Sequence, residues 1–169
     1  MFRPYGDGAI KDLLAVLPVS STYGYVSSSD VGKLVFETSN QGGLMPGSTG
    51  DVFIGGSAVK LLGIVANVPT PTSPGSTIPF FIWPIVPGKL YEAEYSTTYS
   101  ANLPATTDIG KYLGSPNTTT IAAGAYLSMA GIGNAAGTTS GLFFRISDPS
   151  YSTAQRKILG TFHSTHLAL

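Results

Sequence analysis

Ile78-Pro79-Phe80-Phe81-Ile82-Trp83-Pro84-Ile85-Val86-Pro87-Gly88-Lys89-Leu90-Tyr91-Glu92-Ala93-Glu94-Tyr95 decides the fold class. Two runs of strand length, rich in aromatic and β-branched residues, stand on either side of Pro87-Gly88, a turn signal. The prolines at 79 and 84 remove ladder donors, which argues for an edge or a bulge, and an edge so apolar invites pairing or cover. Periodicity leaves open whether Pro79 to Ile85 is core or an inter-subunit contact.

The same pattern extends outward from Tyr23 to the C-terminus. Strands are expected at Leu34 to Glu37, Asp51 to Ile54, Ala58 to Ala66, Pro79 to Ile85, Leu90 to Tyr95, Ala125 to Met129, Leu142 to Ile146 and Lys157 to His163. Gly55-Gly56 reads as a hairpin turn. Val68 to Thr77, with three prolines, and the glycine-rich Gly131 to Gly141 read as loops. The N-terminal part differs. Ile10, Leu13, Leu14 and Leu17 follow helical spacing, Asp7 can cap and Pro18 can end the element, which predicts one short helix. The expected fold is all-β, a small antiparallel barrel or sandwich. Residues 1–22 form an N-terminal arm and short helix, and residues 23–169 a single β-barrel domain.

Ser29-Asp30-Val31-Gly32-Lys33 and Thr107-Asp108-Ile109-Gly110-Lys111 share one order of Asp, aliphatic, Gly and Lys. Asp can cap a turn while Gly takes positive φ, so the echo reads first as a local turn used twice, with a duplicated half-domain as the alternative.

Composition narrows function. With 169 residues, the chain is long enough to bury a core without staples. It has no cysteine, so disulfides and thiolate chemistry are excluded. Nine basic and nine acidic residues cancel and make up only 11% of the chain, scattered apart from Arg156-Lys157. That is a poor electrostatic footprint for nucleic acid, and it leaves a surface of Ser, Thr, Gly, Pro and apolar groups suited to packing against other proteins. The apolar stretches are too short and interrupted to cross a membrane. Leu13 to Val19 lacks the positive flank and cleavage site of a signal peptide, so the chain is expected to stay in the cytoplasm where it is made. Asn117-Thr118-Thr119 is then a polar loop rather than a glycosylation site.

Enzymatic readings fare badly. His163 and His166 fall in the last seven residues, where chains fray, and no G-x-S-x-G elbow accompanies them. Truncation from Ser164 is expected to leave function intact. Glu92 and Glu94 share a strand face and are poorly placed to flank a glycosidic bond, so a solvated face near Lys89 is the favoured reading. Gly131 to Gly137 has the wrong spacing for a dinucleotide loop and precedes a strand. No catalytic residue, metal site or cofactor is expected. Nine Tyr, eight Phe and one Trp offer contact area instead. Phe2, Arg3, Pro4 and Tyr5 form an apolar and basic tip suited to lying across a neighbour, against the plainer reading of a disordered terminus. Trp83 is a further candidate contact.

Five segments carry a family resemblance: Leu61-Leu62-Gly63-Ile64-Val65-Ala66, Leu90-Tyr91-Glu92-Ala93-Glu94-Tyr95, Asp108-Ile109-Gly110-Lys111, Phe144-Arg145-Ile146-Ser147-Asp148-Pro149 and Arg156-Lys157-Ile158-Leu159-Gly160-Thr161-Phe162. In this order they resemble the capsid decoration, or cement, proteins of tailed bacteriophages, over residues 58 to 163. Tyr5 to Gly43 has no part in the likeness. The resemblance implies a small β-barrel virion protein without catalysis, present in many copies on an icosahedral capsid and made in the host cytoplasm. Its partners would be the major capsid protein and copies of itself, a homo-oligomer with a trimer favoured, and neither nucleic acid nor membrane. The rival expectation is a receptor- or glycan-binding module of a head or tail fibre, with Trp83 or Tyr91 to Tyr99 stacking on sugars.

Overall fold

A computed structural model describes residues 1–6, 12–16, 26–38, 43–46, 59–71, 76–96, 103–114, 126–133 and 142–164. The chain is all-β. Its strands are β1 (Phe2–Pro4), β2 (Leu14–Val16), β3 (Leu34–Thr38), β4 (Gly43–Pro46), β5 (Val59–Asn67), β6 (Phe80–Pro84), β7 (Tyr91–Ser96), β8 (Tyr112–Gly114), β9 (Tyr126–Gly133), β10 (Leu142–Ser152) and β11 (Lys157–Phe162). Single 3-10 turns lie at Ser28–Asp30 and Thr106–Asp108.

Two sheets result. One runs β1-β7-β11-β10-β8-β9 and curls until β9 also meets β7 in parallel; the other runs β2-β6-β5-β3-β4. All the remaining pairings are antiparallel. The architecture is therefore two sheets and not the one closed barrel that was an expected alternative. The central core joins Phe2, Tyr91, Ala93, Leu113, Phe143, Phe144, Ile146, Ile158 and Phe162 of the first sheet with Leu34, Leu61 and Ile64 of the second. The opposite face of the second sheet holds its own cluster, with Val16, Val35, Leu62, Val65, Phe80 and Ile82.

The two sheets repeat one plan. Strands β2 to β6 pair in the spatial order β2-β6-β5-β3-β4, and strands β7 to β11 in the order β7-β11-β10-β8-β9. The match extends to irregularities. Leu62 is an extra residue in β5 where Val35 and Phe36 face Gly63 and Leu61, and Phe143 is an extra residue in β10 where Leu113 and Gly114 face Phe144 and Leu142. The carbonyls of these two bulged residues accept from Ile85 N (3.0 Å) and His163 N (2.9 Å). A second shift separates Val65 from Asn67 against β6, and Ile146 from Asp148 against β11.

The echoed motif leads into the second strand of each repeat, β3 and β8, and folds alike in both. Asp30 Oδ2 accepts from Ser27 N at 2.8 Å while Lys33 Nζ donates to Oδ1 at 2.6 Å; Asp108 Oδ2 accepts from Ala105 N at 2.9 Å and Lys111 Nζ reaches Oδ1 at 2.8 Å. Gly32 and Gly110 take φ of 86° and 85°, a region other residues enter at a cost. Each glycine then donates to the neighbouring long strand, Gly32 N to Val65 O and Gly110 N to Ile146 O. The motif is a local turn used twice, and the recurrence of the whole strand plan makes it part of a duplicated half-domain.

Two expectations need correction. The helix over Ile10 to Leu17 does not form in its described part: Leu14–Val16 is a strand, paired antiparallel with Phe80–Ile82. A helix of two or three turns is marginal alone, and β6 offers a ladder that satisfies the same backbone groups. The Pro79 to Ile85 run is not an edge, since β6 lies between β2 and β5. Its prolines fall just before the strand and at its last position, where a missing donor does not interrupt the ladder. The expected strand Asp51 to Ile54 and the Gly55-Gly56 turn lie outside the described residues.

Candidate interaction surfaces

The residues of the expected arm are built into the body. Phe2 and Ala93 are register partners between β1 and β7, and the Phe2 ring is fully buried, with its centroid 6.0 Å from Phe144 and 5.8 Å from Phe162. A side chain so placed is core while β1 is docked, and is not presented to a neighbour. Pro4 faces Tyr91 in the same ladder, and Tyr5, 38% exposed, meets Tyr151 edge to face at 5.3 Å. Trp83 is half-buried and packs on the central cluster.

Arg3 ends in a charged cluster over β7. Its Nε and Nη2 donate to Glu92 Oε2 and Oε1 at 2.7 and 3.0 Å, Tyr151 OH donates to Oε1 at 2.9 Å, and Lys157 Nζ lies 3.5 Å from Oε2. The cause is register: β7 has β1 on one side and β11 on the other, so Glu92 faces Arg3 across one ladder and Leu159 across the other. Burial pushes the Glu92 carboxyl up, and hydrogen bonds from Arg3 and Tyr151 with the charges of Arg3 and Lys157 more than offset it, leaving Glu92 below its ordinary value. Glu94 lies 3.3 Å from the amine of Met1. The cleft among Met1, Arg3, Glu92, Glu94 and Lys157 is about 30 Å³, room for a water. These two carboxylates hold strands together. Glu92 is 5% exposed, so the expected solvated face is a buried ion cluster at that position.

His163 does not fray. Its N–H is bonded to Phe143, and its ring meets Tyr112 edge to face at 5.5 Å. His166 lies outside the described residues. Among the described residues no group of three or more His, Cys, Asp or Glu is arranged to hold a metal ion, and no helix is long and apolar enough to cross a membrane.

Large apolar side chains stand in solvent at several places: Leu103 and Ile109 beside the second Asp turn are 60% and 56% exposed, and Ile78, Leu13 and Leu14 are exposed near β2 and β6. The sequence reading missed Tyr151 and Lys157 as partners of Glu92, because their proximity depends on strand order and not on spacing.

No protein-family model, curated protein or solved structure matches the chain.

Proposed function

We propose that this chain is a structural virion protein that binds the outside of an icosahedral capsid and stabilises its shell of major capsid proteins. One observation carries the reading. The segments that resemble decoration proteins fold as a contiguous body: Leu90 to Tyr95, Phe144 to Pro149 and Arg156 to Phe162 lie on the adjacent strands β7, β10 and β11. The Asp108 to Lys111 turn is bonded to β10 through Ile146, and Leu61 and Ile64 pack in the same core. Low charge and exposed apolar side chains suit a protein that works packed against others. On a shell, many copies with modest contacts each sum to firm attachment.

The test is to heat shells that carry the chain and shells that lack it while following loss of their contents. The chain is expected to raise the temperature of release. Equal temperatures would overturn the proposal.

A further inference from the structure

Strand β1 touches both repeats. It pairs with β7 of the second repeat over Phe2, Arg3 and Pro4, and Tyr5 N donates to Leu90 O at 3.0 Å while Met1 O accepts from Glu94 N at 3.1 Å. On its other side Phe2 N donates to Gly32 O at 2.9 Å, in the Asp turn of the first repeat. The Phe2 ring is buried against Phe143, Phe144 and Phe162, so a strand of three residues closes an aromatic slot in the shared core. Its polar anchor is Glu92, and each side chain bonded to that carboxylate among the described residues is a donor. Arg3 Nε and Nη2 come from β1 at 2.7 and 3.0 Å, Tyr151 OH from β10 at 2.9 Å, and Lys157 Nζ from β11 at 3.5 Å. A carboxylate accepts from all of them. A carboxylic acid places a proton of its own among donors, and the negative charge between Arg3 and Lys157 is gone.

We infer that β1 is an acid-released clamp: protonation of Glu92 lets the strand leave β7 and Gly32 while the two repeats keep their fold. The charges set the direction. β1 brings Arg3 and the Met1 amine to a surface that holds Glu92, Glu94 and Lys157. Burial draws the amine down to about 6 against the pull of Glu94, so it too is cationic in acid. Neutralising Glu92 then leaves three cations facing Glu94, with Arg3 and Lys157 repelling each other. What opposes departure is the burial of one ring and a few backbone bonds, the mark of an element that opens locally before the whole. With β1 docked, the burial of the Glu92 carboxyl is outweighed by the donors around it and the group lies below its ordinary 4.5, so proton uptake below that value favours the open form. The second repeat does not depend on β1 for its ladder, since β7 keeps β11 on one side and β9 on the other. Departure bares Phe2 and the rings it covered, a contact surface that is closed while Glu92 is ionised.

Hydrogen exchange of the full chain, read by mass spectrometry on its fragments from neutral pH down to about pH 3, tests the inference, each fragment being compared with the unprotected rate at the same pH. Protection of the Phe2, Arg3 and Tyr5 amides is expected to fall below pH 4.5, by up to about tenfold per pH unit as one linked proton dictates, while β5 and β10 stay protected. Glu92→Gln puts an amide donor among the same donors and is expected to lack protection over β1 already at neutral pH, with β10 protected. Asp108→Asn alters a buried carboxylate that does not meet β1 and is expected to follow the parent. Protection over β1 that persists until β5 and β10 lose theirs would overturn the inference, and the parent chain alone suffices to show it. Full protection over β1 in Glu92→Gln at neutral pH, or the same early loss in Asp108→Asn, would overturn it as well.

Discussion

Glu92 and Asp108 are both buried carboxylates held below their ordinary values. For Asp108 the first cause is the Lys111 hydrogen bond, with the backbone N–H of Ala105 adding to it against the opposing effect of burial. For Glu92 burial works against ionisation, and Arg3, Tyr151 and Lys157 outweigh it. A depressed folded-state value means that the unfolded chain takes up the proton first as pH falls. Their contribution to stability is therefore complete above the ordinary values of 4.5 for Glu92 and 3.8 for Asp108, and is lost as pH falls through the depressed ones. The urea midpoint is expected to decline from about pH 4.5 downward, and to decline less in Glu92→Gln, whose cluster no longer titrates at that position. A midpoint that stays level down to about pH 3 would contradict this account of the cluster.

At the scale of elements, each Asp turn ties the start of a strand to the long strand beside it. Asp30→Ala and Asp108→Ala each remove an acceptor for a backbone N–H and a lysine partner, so each is expected to cost about 0.5–2 kcal/mol. The turns share no partner, so the double variant should cost the sum within about 0.5 kcal/mol, measured by urea unfolding. A markedly larger loss would mean that the repeats are coupled through these turns. The longer strands β3, β5, β6, β7, β10 and β11 were legible from their runs of aromatic and β-branched residues. The short β1, β2, β4 and β8 were not. Three or four residues hold too little pattern, and Leu14–Val16 fits a helix or a strand until β6 is beside it. The duplication left little trace for a physical reason. Leu34 and Ile64 are buried while the equivalent Tyr112 is half-buried and Arg145 exposed, so one face of the equivalent strands differs in polarity, and the Asp-x-Gly-Lys turns, whose geometry admits few residues, carry the visible likeness.

The whole molecule is a doubled sheet unit sharing one core, with β1 paired onto the second repeat and tied to it by the ion pairs of Met1 and Arg3. Such a body presents strand faces and exposed apolar side chains, and Asp30, Glu92, Glu94 and Asp108 are occupied in holding it together. They suit the proposed role of a part added to a larger surface. The most direct measurement is the mass-spectrometric ratio of this chain to the most abundant shell protein in purified particles. Capsid decoration predicts a simple fraction of the shell copy number, as icosahedral symmetry dictates. A ratio of about a few per cent or less, the level expected of a fibre component, or absence of the chain from particles, would contradict it.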